Sequence, residues 1–184
     1  MIIRKKFKFE AAHIVRNCSS DRCKKTVHGH SYKVEVFLTS DKLDAGDMIY
    51  DFGLMKDMKE FIDLWDHTML IWTGDNGQFK VDMRKHSDRW LMLGFNPTAE
   101  GMALFFLTIF SYIYADKNMK NQEGDVRIKS VRVHETDTGY AEAFAEDLFN
   151  AGMDINTTFI VSEELRNGMP FSLLRSIESL ISNL

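Results

Sequence analysis

Two stretches near the start of the chain alternate apolar and polar side chains over twelve residues each, and this period constrains the fold more than any other feature. From Ile2 to His13, IIRKKFKFEAAH puts Phe7, Phe9 and Ala11 on one side and Lys6, Lys8 and Glu10 on the other. From His28 to Thr39, HGHSYKVEVFLT sets Tyr32, Val34 and Val36 against Lys33, Glu35 and Phe37. A period of two is that of a half-buried strand; wound as a helix, the same residues would scatter around the axis. Residues 125–135 and 140–145 alternate again and read as a hairpin across Thr136–Gly139. Two helices are predicted between the strand pairs. Asp51 is a candidate N-cap ahead of a stripe of Leu54, Met55, Met58, Phe61, Ile62 and Trp65. Asn96-Pro97, read as cap and first helical residue, precedes Met102, Phe105, Phe106, Ile109 and Ile113. The order is β-β-α-α-β-β, an α+β domain with its helices on one face of an antiparallel sheet.

Two segments stand outside this pattern. Residues 68–96 show no sustained period and contain three glycines, so a long excursion of low regularity is expected there. Residues 147–184 read as a partly helical tail, above all 171–184. A length of 184 residues suits one domain, 1–146, with a C-terminal extension, 147–184, packed on it. Two cysteines cannot make a disulfide framework, and the usage reads as cytosolic. The N-terminus has no apolar core of a secretory signal, and the nearly apolar run Met102–Phe110 is too short to span a bilayer, so no membrane association is expected. A net charge of −4 argues against a nucleic-acid partner. Residues 1–33 nevertheless hold nine basic side chains against Glu10 and Asp21. That excess suits a small anionic ligand such as a phosphate ester, and equally a solvated strand face.

The histidines carry the chemistry. His28 and His30, two apart on a strand, present their imidazoles on the same face, and His13 ends the neighbouring strand close to where its partner begins. Three imidazoles at one end of a strand pair suit Zn²⁺ and leave a fourth position open, the catalytic rather than the structural pattern. An isolated H-x-H is more often surface or satisfied histidine; the third residue tips the balance to a metal. Cys23 lies in the intervening loop beside Arg22, Lys24 and Lys25, where cations favour a thiolate that can act as base, nucleophile or fourth ligand. Cys18 in the same loop is read as an inert thiol. Asp66-His67 follows the first helical stripe and makes a proton carrier only if the two side chains touch. Glu135 continues the apolar face of Val131 and Val133; it either holds a guanidine-like ligand edge or lies just past the buried part of its strand. Glu100 in the first turn of its helix is explained by the helix dipole alone.

As an ordered set, Phe9-Glu10-Ala11-Ala12-His13, the Cys23 loop, His28-Gly29-His30, Asp51-Phe52, Asp66-His67, Pro97-Thr98-Ala99-Glu100 and Glu135-Thr136 resemble the 6-pyruvoyl-tetrahydropterin synthase / 6-carboxytetrahydropterin synthase family, over roughly residues 1–145. The resemblance implies the tunnelling fold (T-fold), a four-stranded antiparallel sheet with two helices, assembled into barrels as a homo-oligomer of two stacked trimers with active sites between subunits. It implies Zn²⁺ on His13, His28 and His30, Cys23 as general base, an Asp66–His67 proton relay, and Glu135 as anchor of the pterin ring, with Thr98 and Glu100 near the pterin pocket. The implied substrate is 7,8-dihydroneopterin triphosphate. The carboxy branch, serving the 7-deazaguanine (queuosine) pathway, releases acetaldehyde and triphosphate; the pyruvoyl branch releases triphosphate only. The general run of motifs resembles the carboxy branch. The four residues between Cys23 and His28 fit neither branch's usual spacing, and the 68–96 and 147–184 segments exceed the family core. A zinc- or pterin-binding assembly without turnover, and a zinc hydrolase that needs no thiol, are the alternatives.

Overall fold

A computed structural model describes residues 1–115, 117, 119–150, 152 and 155–169. Along the chain run β1 (Ile2–His13), the short helix α1 (Asp21–Lys25), β2 (His28–Thr39), a 3₁₀ turn (Phe52–Met55) leading into α2 (Lys56–Asp63), β3 (Thr68–Trp72), α3 (Gly77–His86), β4 (Trp90–Leu93), α4 (Ala99–Ala115), β5 (Arg127–His134), β6 (Tyr140–Phe144), a second 3₁₀ turn (Ala145–Phe149), β7 (Phe159–Val161) and α5 (Glu163–Gly168). The strands form one sheet in the order β6-β5-β2-β1-β3-β4-β7.

The alternating segments behave as their period requires. β1 and β2 pair antiparallel along their whole length, from Ile2 opposite Thr39 to His13 opposite His28. β5 joins β2 with a register shift at Phe37/Leu38, and β6 closes the hairpin on β5. Phe7, Phe9, Tyr32, Val34, Val36, Leu38, Val131 and Val133 are buried on one face, against Met58, Phe61 and Ile62 of α2 and Met102, Phe105, Phe106 and Phe110 of α4. Aromatic rings knit this layer together: Phe9 stacks on Tyr32 at 4.8 Å, and Trp65 meets Phe106 at 4.6 Å.

Three expectations are corrected. The sheet has seven strands and is mixed, because 68–96 is regular: β3, α3 and β4 form a β-α-β unit parallel to β1, with Ala11 opposite Thr68 and Met69 opposite Trp90. TMLIW and WLML show no alternation in sequence: β3 is buried on both faces, and in β4 the half-buried Trp90 and Met92 that alternate with buried Leu91 and Leu93 are themselves apolar, so neither strand has a polar side to reveal its period. The second helix also starts later than its sequence suggests. Thr98 Oγ1 accepts from Gly101 N at 3.1 Å and caps α4, while the Asn96 side chain bonds the Arg16 backbone instead. Asp51, by contrast, caps as expected, accepting from Gly53 N at 2.7 Å.

Residues 155–169 complete the far edge. β7 pairs antiparallel with β4, and Phe159 stacks on Trp65 at 5.9 Å. The expected helix over 171–184 lies outside the described residues. On the outer face of the sheet the sequence hid a buried acid: Glu35, 4% exposed, meets Arg4 at 2.5 Å, His134 at 3.0 Å and Arg132 at 3.5 Å. Burial alone would raise its carboxyl; the hydrogen bond from His134 and the charges of Arg4 and Arg132 outweigh burial and hold it below the usual carboxylate range. No helix among the described residues is long and apolar enough to cross a membrane.

Phe106, with no exposed surface, packs at the centre of the aromatic layer, whereas Phe149 is 90% exposed. Phe106→Ala is therefore expected to lower stability by about 3–5 kcal/mol and Phe149→Ala by less than about 0.5 kcal/mol, both read from urea unfolding.

Candidate functional site

The β1–β2 register converts sequence spacing into a cluster. His13 stands opposite His28 at the end of the hairpin, and His30 lies one side-chain repeat further along the same face. Their ligating nitrogens all lie within 4.8 Å of one another.

Second partners decide what these nitrogens can do. His13 is fully buried, and its Nδ1 lies 2.7 Å from the carbonyl of Pro97. His28 Nδ1 lies 2.9 Å from the carbonyl of Thr26. A carbonyl only accepts, so in both rings Nδ1 carries the proton and Nε2 presents a lone pair. Those two Nε2 atoms are 3.2 Å apart. Between neutral rings that contact sets lone pair against lone pair. His30 Nε2 is buried and has no hydrogen-bond partner. Three bare nitrogens facing one point, one of them otherwise orphaned, fit a divalent cation that accepts imidazole nitrogen, Zn²⁺ among them. Desolvation lowers the pKa of His13 to about 4, aided by the neighbouring His28 and His30, and lowers that of His30. Both rings are thus held in the neutral form that ligates metal.

Glu135, just past β5, brings its carboxylate to the same point: Oε1 lies 3.6 Å from His13 Nε2 and 3.9 Å from His30 Nε2. Tyr32 supplies a contact where its sequence pattern indicates only a core position. Its hydroxyl lies 3.2 Å from His13 Nδ1, and burial pushes its phenol upward. The two-residue step from His30 to Tyr32 is the available signal for that placement. The Pro97 carbonyl leaves none, since any residue carries one.

Cys23 sits on α1, half-buried, and is not among the clustered metal-ligating side chains; Cys18 is also a free thiol, its Sγ 3.2 Å from the carbonyl of Ser20. Thr98 spends its hydroxyl on capping α4, and Glu100 is exposed in the first turn. Asp66 and His67 do touch, His67 Nδ1 lying 2.9 Å from Asp66 Oδ2. They bracket the backbone of Glu10: Asp66 Oδ1 accepts from Glu10 N at 2.8 Å, and His67 N donates to Glu10 O at 2.7 Å. This grip holds His67 at a φ of 57°, a left-handed conformation costly for a residue with a Cβ. Burial would raise the Asp66 carboxyl, but the Glu10 amide, His67 and Arg89 hold it below the usual range.

The pair stands at the entry to β3, beside Glu10 of β1. Thr68, the next residue, is the register partner of core-facing Ala11, so His67 falls on the outer face with Glu10. There it lines a cavity of about 540 Å³ together with Glu10, Gly29, Ser31, His86 and, from the imidazole cluster, His30. His86, from α3, stands in no motif that would mark it from sequence.

Residues 2–146 of the chain match the family described as 6-pyruvoyl tetrahydropterin synthase. The chain is 44% identical over 151 residues to the 6-carboxy-5,6,7,8-tetrahydropterin synthase of Helicobacter pylori (strain J99), an alignment covering 82% of this chain and 76% of that enzyme. In three dimensions it is similar to an uncharacterized protein from Wolinella succinogenes, with a TM-score of 0.64 and 24% identity over 79% of this chain and 98% of that one. It is also similar to the 6-pyruvoyl tetrahydropterin synthase of Caenorhabditis elegans, with a TM-score of 0.55 and 22% identity over 79% of this chain and 95% of that one. At these identities the structural likeness is one of fold.

Two outcomes follow from the cluster. His13→Ala should weaken Co²⁺ or Zn²⁺ binding by more than about a hundredfold, measured by metal titration and by metal content after dialysis. In metal-free protein, His13 titrates near 4 when folded against 6.5 as its ordinary value, so the unfolded chain binds more protons between those values. Stability should therefore fall as pH drops through that window, and His13→Asn should flatten the loss in a series of urea midpoints.

Proposed function

Because the chain belongs to the 6-pyruvoyl tetrahydropterin synthase family of enzymes, we propose that it is a zinc-dependent lyase converting 7,8-dihydroneopterin triphosphate and water to 6-carboxy-5,6,7,8-tetrahydropterin, acetaldehyde and triphosphate, a step of the 7-deazaguanine (queuosine) pathway. The observation that carries this reading is the pair of bare Nε2 atoms 3.2 Å apart on His13 and His28, with the partnerless Nε2 of His30 beside them.

In this reading His13, His28 and His30 hold Zn²⁺. Bound there, the ion would supply Lewis acidity to the substrate's side-chain oxygens and so would acidify the adjacent C–H. Cys23, as thiolate, takes that proton. Glu135 accepts the amino and ring N–H groups of the pterin by a paired hydrogen bond, the recognition that a carboxylate gives a guanidine-like edge. Thr98 and Glu100 stand near that ring. Asp66 orients His67, which moves protons during the tautomerisation. The basic side chains of residues 1–33 favour the triphosphate end.

The placement of His67 on the outer face bears on assembly. A relay whose cavity takes in His30 but neither His13 nor His28 is accounted for if it serves the cluster of a neighbouring subunit, in the hexamer of stacked trimers that the family resemblance implies. We take 1–146 as the catalytic domain and 147–184 as an extension packed on it, a reading supported by the pairing of β7 with β4. The enzyme is placed in the cytoplasm, with neither nucleic acid nor membrane as partner.

Purified protein should convert dihydroneopterin triphosphate to the carboxy product and acetaldehyde, identified by mass spectrometry, with turnover abolished by chelator and restored by Zn²⁺. Accumulation of the pyruvoyl product alone would move the chain to the other branch, and absence of turnover would leave a binding assembly. Cys23→Ala should lower kcat by about 10²–10⁴-fold with metal content unchanged. Activity that survived this substitution would point to hydrolysis that needs no thiol.

A further inference from the structure

The helix that carries Cys23 cannot hold its own position. α1 is five residues long, buries no side chain and has no side-chain cap, and a single turn of helix is not stable by itself. Its C-terminal end is held by two consecutive carbonyls. Val15 N donates to Cys23 O at 3.1 Å, and Arg16 Nη1 donates to Lys24 O at 2.9 Å. The second of these hydrogen bonds is only as well placed as the Arg16 side chain.

That side chain is fixed by residues far away in sequence. Arg16 Nε lies 3.1 Å from each carboxylate oxygen of Asp75, and the guanidinium sits over the ring of Phe79, 4.8 Å from its centroid. Asp75 and Phe79 belong to the turn between β3 and α3 and to α3 itself, inside the segment that exceeds the family core. Asp75 is itself locked: its side chain is 5% exposed, Oδ1 accepts from Asn76 N at 2.8 Å, and its own amide donates to Trp72 O at 3.0 Å. The Arg16 backbone is gripped as well. Its N–H donates to Asn96 Oδ1 at 3.0 Å, and its carbonyl accepts from Asn96 Nδ2. Asn96 directly precedes Pro97, whose carbonyl fixes the ring of His13.

We propose that Arg16 and Asp75 are positioning residues, through which the β3–α3 turn sets where the Cys23 thiol stands relative to the histidine cluster. An ordinary surface ion pair joins two exposed side chains and contributes little. Here the carboxylate is nearly buried, the guanidinium bridges two separate segments, those bearing Cys23 and Asp75, and Asn96 holds the backbone of the same residue. Proton abstraction requires the base within hydrogen-bond reach of the proton it removes, and a displacement of about 1 Å is enough to slow a reaction about a hundredfold. The β-α-β unit of residues 68–96 thereby braces the loop of the proposed base.

The inference rests on the assignment of Cys23 made above, and the test separates the two. Asp75→Asn and Arg16→Lys are made in the full chain loaded with zinc; the lysine keeps the charge but cannot reproduce the guanidinium fork. Hydrogen–deuterium exchange of residues 15–26 is followed beside steady-state kinetics on dihydroneopterin triphosphate. Exchange in 15–26 should accelerate about tenfold or more, and kcat should fall about ten- to a hundredfold, with KM and metal content within about twofold of wild type. Asp75→Glu, which keeps the pairing charge, should recover most of kcat and serves if the other variants fold poorly. Unchanged kcat in both variants, with or without faster exchange, overturns the proposal. So does a fall in metal content and a rise in KM matching the loss of kcat, because the pair would then support the fold at large. If instead Cys23→Ala retains full activity, the assignment of the base has failed, while the exchange data still report whether Arg16 and Asp75 tether the loop.

Discussion

One hydrogen bond organises the site: the Nδ1 proton of His13 on the carbonyl of Pro97, 2.7 Å away and 84 residues along the chain. It fixes the tautomer of a ring that has no contact with water, and so leaves Nε2 as a lone pair aimed at His28 and His30. It also fastens the end of β1 to the turn that opens α4, so the aromatic layer beneath the sheet and the imidazole cluster at its end share one anchor. Asn96, in the same turn, clasps the Arg16 backbone. The loop with Cys23, the metal-ligating face and the start of the longest described helix thus converge within three residues, 96–98. Burial supplies the rest, since desolvation keeps His13 neutral and available.

Most of this was legible from residue order, and the parts that were not share a physical reason. Alternation marked β1, β2, β5 and β6 because each has a wet face and a dry one, and the H-x-H step placed His28 and His30 together because strand geometry permits nothing else. β3 and β4 were invisible: β3 is buried on both faces and β4 is apolar on its half-buried face too, so four or five residues carry no polar period. Glu35 sits in the pattern of a solvated face, yet the outer side of the sheet assembles Arg4, Arg132 and His134 around it from strands distant in sequence. The side of the sheet that His67 occupies follows from a parallel pairing with β1 of only two residue pairs, Ala11 with Thr68 and Ala12 with Met69, which no local pattern announces. Thr98 took the capping role expected of Asn96 because both are competent caps, and the Arg16 backbone claimed the Asn96 side chain.

The mixed sheet explains how the chain accommodates its additions. An antiparallel core of β6, β5, β2 and β1 is extended on one side only, first by two parallel strands and then by β7 turning back. Phe159 of β7 reaches Trp65 and Phe105, so the added edge shares the apolar layer of the core. Arg89 stitches the same region together, donating to the Asp66 carbonyl at 3.0 Å while pairing with Glu164 of α5 at 2.9 Å. The β3–α3–β4 unit and the edge formed by β7 and α5 are thus attached next to the Asp66-His67 turn, where they can influence its geometry.

That turn holds a conflict between robustness and chemistry. A glycine at position 67 would accept the left-handed backbone without penalty and relax the molecule locally. It would also delete the imidazole that Asp66 is bent to orient. With His67 carrying protons as proposed, selection for thermal endurance alone would pull this position one way and selection for turnover the other. Directed evolution for heat resistance should accordingly treat residue 67 as off limits, however attractive its conformational penalty makes it.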